Sequence, residues 1–278
     1  MATLAHLPAS PPRAATPPFD QVLCVVGDGD GDPAATEQAI VIAPCAPRLT
    51  FVAIADPWHP SVAAFGDRRA RQALTSARDR AGTHGVRGDT ELLHDGDAAG
   101  ALISRADDRS LLVAGVPPAN TVASLATALA HRATAPLLIA RPSRDRGGER
   151  PRILVPVDDS PAATEVVRLA GEIPARTGAY VSVVHVRGRD YGSQTRRRLA
   201  ELSCDLIELT GGEPAVNVLD GRHVAARIAE FARGSRPDLL ITGRRGLTAL
   251  HALGSVSERL MHVAPCSVLV APTSHGAR

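Results

Sequence analysis

Glycines and a serine in the last part of the sequence have the spacing of an anion-binding turn. Gly243 and Gly246 follow an apolar run, and Gly254-Ser255 begins a segment with helical periodicity. Glycine lets the backbone approach a ligand closely, and the first turn of a helix presents free N–H groups to an anion. The chain contains no lysine, so a phosphate here would be bound by backbone N–H groups, by the Ser255 hydroxyl or by arginine.

Two arginines and a carboxylate could complete such a site. Arg244 and Arg245 lie between the glycines, where one of them could neutralise phosphate charge. Asp158 follows the apolar run Ile153–Val157, and its carboxylate could accept hydrogen bonds from a ribose. Structural alternatives exist for each feature, because Ser255 or Asp158 can cap a helix and a loop arginine is commonly exposed. The combination is informative because ligands of open α/β sheets bind beyond the carboxyl ends of strands.

An internal repeat supplies the elements that would position these residues. Short runs rich in Val, Ile and Leu recur in the same order after roughly 130 residues. The matching runs are 21–27 and 152–158, 49–56 and 180–186, 110–115 and 238–243, and 136–140 and 265–271. Runs of this kind are typical of strands buried on both faces of a parallel sheet.

Segments with helical periodicity separate these runs. Ser160-Pro161 is predicted to begin a helix, with Ser as the N-cap and Gly178 just past the C-terminal end. Apolar residues predict further helices over 224–231 and 256–261. Alternating strands and helices predict an α/β fold made of two tandem doubly wound domains.

The composition along the chain predicts five segments. We expect a disordered tail over 1–18, a first domain over 19–141, a polar linker over 142–149, a second domain over 150–272 and a short tail over 273–278. The first tail is rich in proline and the linker is charged and contains glycine.

Composition also argues against several function classes. The net charge is +2 and the chain has one Trp, two Tyr and four Phe, so we expect no nucleic-acid partner. The apolar runs are shorter than the ~20 residues that span a membrane. Four scattered cysteines lack metal-ligand spacing, and they predict reduced thiols in a cytoplasmic protein with no metal site. The sequence contains no recognisable set of catalytic residues.

Three segments of the second copy resemble the universal stress protein family in its tandem form. They are ILVPVDDSPAA (Ile153–Ala163), LLITGRRGL (Leu239–Leu247) and GSVSERLMHVAPCSVLVAP (Gly254–Pro272). The resemblance extends over both copies. It implies a five-stranded parallel sheet with helices on both faces in each domain, a role in stress response, and ATP binding through the pattern G-2x-G-9x-G-[S/T].

The resemblance also implies which residues bind the nucleotide. The glycines and serine of the pattern would contact phosphates and ribose, the residues that end the first strand would lie near adenine and ribose, and the end of the second strand would contact adenine. The nucleotide-binding residues predicted in this way, with the two neighbours Arg245 and Val256, are Pro156, Val157, Asp158, Val186, Gly243, Arg245, Gly246, Gly254, Ser255 and Val256.

Both copies depart from the family pattern. In the second copy only the seven residues LTALHAL separate Gly246 from Gly254, where the family has nine. Either the loop tightens and the site survives, or triphosphate binding is weakened. In the first copy Val-Pro-Pro follows Gly115, and Leu125 occupies the position of Gly254. We therefore expect the first copy to be a degenerate, structural half.

The leading hypothesis is a stress-response protein that binds ATP, or a related adenine nucleotide, in its second domain for regulation. ATP would bring Mg²⁺ with it. One alternative is a nucleotide-free scaffold for a protein partner, and another is a weak ATPase. The resemblance further implies association through the last strand of each domain, near Leu137–Ala140 and Val268–Ala271. These strands could pair within one chain as a pseudo-dimer, or between two chains as a homodimer.

Overall fold

The computed structural model describes residues 16–27, 32–55, 60–116, 125–144, 149–158, 160, 162–188, 191–244 and 254–272. We call residues 16–144 the first half and 149–272 the second half. The strands of the first half are β1 (Gln21–Val25), β2 (Leu49–Ala55), β3 (Asp89–His94), β4 (Ser110–Gly115) and β5 (Leu137–Ala140). Those of the second half are β6 (Arg152–Pro156), β7 (Tyr180–Arg187), β8 (Ala215–Asp220), β9 (Leu239–Gly243) and β10 (Ser267–Ala271).

These strands form a single sheet of ten, in the order β3-β2-β1-β4-β5-β10-β9-β6-β7-β8. Within each half, all neighbouring strands are parallel. The two halves therefore repeat the same doubly wound order, as the alternation of strands and helices predicts. In the second half the order reverses between β6 and β9, which leaves a crevice at their carboxyl ends.

Helices cover both faces of the sheet. One face carries α1 (Asp32–Ile42), α2 (Pro60–Thr83), α5 (Ala162–Glu172) and α7 (Ser193–Thr210), and the other carries α3 (Ala98–Ile103), α4 (Leu125–Arg132), α8 (Val224–Ser235) and α9 (Ser255–Val263). A 3-10 turn, Ala43–Cys45, follows α1, and the four-residue helix α6 (Pro174–Thr177) follows α5. None of the helices within the described ranges is long and apolar enough to cross a membrane.

The two halves meet at one antiparallel pair of strands, which we call the seam. Strand β5 pairs with β10, and Leu138 lies opposite Leu269. Both side chains are buried in the core on the face of α1 and α5, while Leu137 and Val268 are buried on the opposite face. The last strands of the two copies, through which the resemblance implies association, thus pair with each other inside one chain and make both cores continuous.

One local prediction needs correction. The helix expected from Ser160 to Gly178 is two helices, because α5 ends at Glu172 and α6 begins at Pro174. Proline has no N–H to continue the hydrogen-bond ladder. Gly178 does end the second of them, in the left-handed region with φ of 67°. Pro161 lies outside the described residues.

Candidate functional site

A cavity of about 290 Å³ lies in the crevice at the carboxyl ends of β6 and β9. Eight of the ten predicted nucleotide-binding residues line it, and the other two, Arg245 and Gly246, lie outside the described residues. The eight come from four separate stretches of the second half. They are Pro156, Val157, Asp158, Val186, Gly243, Gly254, Ser255 and Val256.

Apolar side chains line the cavity from both faces of the sheet. Val224 and Ile228 reach it from the first turns of α8 on one face, and Ala163 and Val166 reach it from α5 on the other. Val186, near the end of β7, lies on the face of Val224 and Ile228 and forms an apolar wall with them. A flat apolar ligand could remove these side chains from water, which is the arrangement that small-molecule sites commonly use.

The rim of the cavity near β6 carries a carboxylate. Asp158 is exposed, and its Oδ1 accepts hydrogen bonds from the backbone N–H and the hydroxyl of Ser160, at 3.0 and 2.5 Å. The hydroxyl of Ser160 therefore donates within this turn. Among the residues that the structure describes, no hydrogen bond reaches Oδ2 of Asp158, so this oxygen can accept one from a ligand hydroxyl.

The opposite rim is formed by the end of β9 and the start of α9. Gly254 is the N-cap residue, with extended backbone, and Ser255 is the first helical residue. The alternative that Ser255 caps the helix is therefore wrong. No side chain of the described residues caps α9, so the N–H groups of its first turn are available to an anionic ligand.

Three hydrogen bonds fix the spacing between these two segments. The hydroxyl of Ser257 donates to the carbonyl of Gly243 at 2.5 Å and lies 3.0 Å from the Thr242 hydroxyl. The N–H of Gly254 donates to the carbonyl of Arg244 at 2.6 Å. Gly243 and Gly254 therefore lie at the same cavity, although the segment between them is shorter than in the family pattern.

Arg244 does not face the cavity. Its side chain is 6% exposed and crosses the seam, where Nη1 donates to the carbonyl of Ala130 at 2.6 Å and Nη2 to that of Ala135 at 3.1 Å. The hypothesis that this arginine neutralises a bound phosphate is wrong for this conformation. Arg245, the second candidate, lies outside the described residues.

Sequence reasoning missed several residues of the cavity. His185 is buried and also lines the cavity. Its Nδ1 lies 2.9 Å from the carbonyl of Val157. Because a carbonyl only accepts, Nδ1 carries the hydrogen. The hydroxyls of Thr242 and Ser257 were missed because nothing in their spacing marks them.

An ion pair adjoins the site at the ends of β7 and β8. Arg187 donates to both carboxylate oxygens of Asp220, with Nη2 at 2.8 Å from Oδ2. The hydrogen bonds and charge of this arginine lower the pKa of the Asp220 carboxyl. The guanidinium also lies 5.9 Å from the ring centre of Tyr191, so the strand end that carries Val186 is held by charged and aromatic contacts.

The first half has a different cavity. It measures about 690 Å³ and lies between α1 and α2 beside the end of β1, with Glu37, Arg69 and Arg80 among its lining residues. Glu37 and Arg80 form an ion pair in its wall. Over the described ranges, no group of three or more His, Cys, Asp or Glu side chains could hold a metal ion.

Comparison with known proteins identifies relatives of both the second half and the whole chain. The family model described as "Universal stress protein family" matches residues 149–272. The protein "Universal stress protein A homolog 1" of Coxiella burnetii (strain RSA 493 / Nine Mile phase I) is 31% identical over 137 residues, which are 42% of this chain and 92% of that protein.

Two solved structures resemble the complete fold. A universal stress protein from Archaeoglobus fulgidus DSM 4304 superposes with a TM-score of 0.74 and 16% identity, covering 92% of this chain and 97% of that one. A putative universal stress protein from Pseudomonas aeruginosa UCBPP-PA14 gives a TM-score of 0.66 at 16% identity, covering 91% and 93%. At this identity they show the fold, including its tandem arrangement. The 31% identity to the Coxiella burnetii protein, over 92% of its length, shows that the chain belongs to the universal stress protein family.

Proposed function

We propose that the second half binds ATP, or a related adenine nucleotide, as a regulatory ligand in a stress response. The observation that carries this proposal is the cavity between β6 and β9, whose lining includes eight of the residues predicted from the G-2x-G-9x-G-[S/T] resemblance and the adjoining strand ends. In open α/β sheets this crevice is where ligands bind.

The chemistry of the lining suggests an orientation for the nucleotide. The adenine would lie on the apolar wall around Val186 and Val224, and the ribose hydroxyls would donate to Asp158. The phosphates would extend toward Gly254 and Ser255, where the N–H groups of α9 favour negative charge. A cavity of about 290 Å³ is at the small end of ligand sites, so it fits a nucleoside, with the phosphates at the rim.

Regulation accounts for this lining better than catalysis. Mg²⁺ would be held mainly by the phosphates and water, as is common for this ion, with Asp158 the nearest carboxylate of the lining. The imidazole of His185 uses Nδ1 to donate to the Val157 carbonyl, which gives it a structural role in the strand end.

We also propose the division into domains over 19–141 and 150–272, and a cytoplasmic location.

The test combines nucleotide release with calorimetry. The purified protein is denatured and its supernatant is separated on a nucleotide-resolving column, and ATP is titrated into the native protein. Val224→Trp places a larger side chain on the apolar wall, where it occupies part of the cavity. Ala98→Trp is the matched control, because Ala98 is the first residue of α3 as Val224 is of α8, and both side chains are partly exposed.

We expect ATP to bind the wild type and Ala98→Trp with the same affinity, and Val224→Trp to lose at least about tenfold. No released nucleotide and no heat at millimolar ATP would overturn the proposal and favour the scaffold alternative. Release of ADP and phosphate in proportion to time and enzyme, abolished in Val224→Trp, would instead favour the weak ATPase.

A further inference from the structure

The buried guanidinium of Arg244 connects the two halves. Its donors reach the carbonyls of Ala130, in the last turn of α4, and Ala135, just before β5. A buried charge is costly unless it is hydrogen-bonded. Carbonyls at a helix C-terminus are suitable partners for a cation, because they carry the negative end of the helix dipole. The side chain is therefore held by the first half.

The backbone of the same residue adjoins the candidate nucleotide site. Arg244 follows Gly243 directly, and its carbonyl accepts the N–H of Gly254 at 2.6 Å. Both glycines line the cavity. A shift of the Arg244 backbone would therefore move the residue that begins α9, whose first turn faces the ligand.

A second arginine crosses the seam in the opposite direction. Arg141 donates through Nη1 to the carbonyl of Cys266 at 3.3 Å and through Nη2 to the carbonyl of Met261, in the last turn of α9. It binds the end of α9 that is distant from the cavity. Arg141 is thus a matched control for Arg244, with the same side chain, the same seam and the same type of acceptor.

We propose that Arg244 is a positioning residue, through which the first half holds the phosphate-binding end of the site in the second half. This inference rests on the proposed function. The first half lacks the glycine pattern of the family, and through Arg244 it would support nucleotide binding by the second half. Arg244 acts through the N–H of Gly254 and contacts no ligand itself.

The experiment compares Arg244→Met with Arg141→Met in the full chain. Both variants keep an unbranched side chain and lose the donors that cross the seam. Calorimetry measures the Kd of ATP and of adenosine, which lacks phosphates. Hydrogen exchange followed by mass spectrometry reports on the amides of 254–258 without any ligand. Arg244→Lys, which keeps the charge and some donors, serves if Arg244→Met does not fold.

We expect Arg244→Met to weaken ATP binding about tenfold or more, as the loss of charged hydrogen bonds implies, with adenosine binding changed less than about threefold. Exchange at 254–258 should become faster. Arg141→Met should leave the ratio of the two Kd values unchanged. Arg244→Lys should shift that ratio in the same direction by a smaller factor.

Two results would overturn the inference while leaving nucleotide binding intact. One is an unchanged ratio of Kd values in Arg244→Met, or in Arg244→Lys if only that variant folds. The other is an equal change in Arg141→Met, which would mean that any weakening of the seam suffices. If the wild type binds neither ligand, the proposed function fails, and hydrogen exchange decides: faster exchange in Arg244→Met alone supports the positioning role, and unchanged exchange refutes it.

Discussion

Replacing Ser257 with alanine tests whether the joint between β9 and α9 stabilises the fold. Ser257 is 5% exposed, and its hydroxyl bridges Gly243 and Thr242. Because the carbonyl of Gly243 can only accept, Ser257 donates to it, and the hydroxyl of Thr242 donates to Ser257. Ser257→Ala removes both hydrogen bonds and leaves two buried polar groups without this partner.

The expected loss follows from these two bonds. Each contributes about 1 kcal/mol net, and leaving a buried partner unsatisfied costs about 1–3 kcal/mol. The higher helix propensity of alanine offsets about 0.5 kcal/mol of this loss in the free energy of unfolding. We expect the free energy of unfolding to fall by about 2 kcal/mol. At ~2–4 °C per kcal/mol for a chain of this size, the midpoint of thermal unfolding should fall by roughly 4–8 °C.

The matched control is Ser203→Ala, also within a helix. The hydroxyl of Ser203 donates only to the carbonyl of Leu199 at 2.8 Å, one turn back in α7, a bond that adds little to helix stability. Urea unfolding followed by circular dichroism measures both variants. A Ser257→Ala loss within about 0.5 kcal/mol of the control would refute the reasoning.

Three further predictions concern other parts of the molecule. Iodoacetamide at neutral pH should label the exposed Cys204 much faster than Cys45 or Cys266, because burial raises the pKa of those two thiols to about 12. Peptide mass spectrometry measures the labelling rates, and similar rates for all three cysteines would contradict this prediction. Gly178→Ala should lower the free energy of unfolding by about 1 kcal/mol, because Gly178 has a positive φ. Gly234→Ala, inside α8 with open space around it, should raise that free energy by up to about 1 kcal/mol. Denaturant unfolding measures both changes, and changes of the same sign would refute this prediction. Arg132 donates to the carboxylate of Asp97 and holds the pKa of that carboxyl well below its usual range. The ionised carboxylate therefore stabilises the fold at pH values above the usual carboxyl pKa, and this contribution is lost as the pH falls. Carboxyl NMR titration of Arg132→Gln should show a higher pKa for Asp97, and an unchanged pKa would refute the pairing.

The sequence predicts the central strands well and the outer ones poorly. Eight strands appear as continuous apolar runs, because both of their faces are covered by helices. Strands β3 and β8 were not identified from their residues. In β8, Val216 and Val218 are exposed and alternate with partly buried side chains, and such a short amphipathic pattern at a sheet edge gives a weak signal.

The site shows a similar division. Short motifs predict the positions of Gly254 and Asp158 in the site. Gly254 begins a helix and Asp158 forms a turn, and both structures depend on residues that are close in the sequence. The orientation of Arg244 could not be predicted, since its acceptors lie 114 and 109 residues away in the sequence. They come within reach only through the antiparallel seam, which no local pattern specifies.

The seam also has a consequence for how the protein responds to its own concentration. Two separate chains that pair through their last strands dissociate on dilution, so any site that depends on the pairing weakens with them. In this chain the two last strands belong to one polypeptide, so the effective concentration of one for the other is set by the connection at 141–151 and not by the amount of protein in the cell. The geometry around Gly243 and Gly254 should therefore stay the same however scarce the protein becomes.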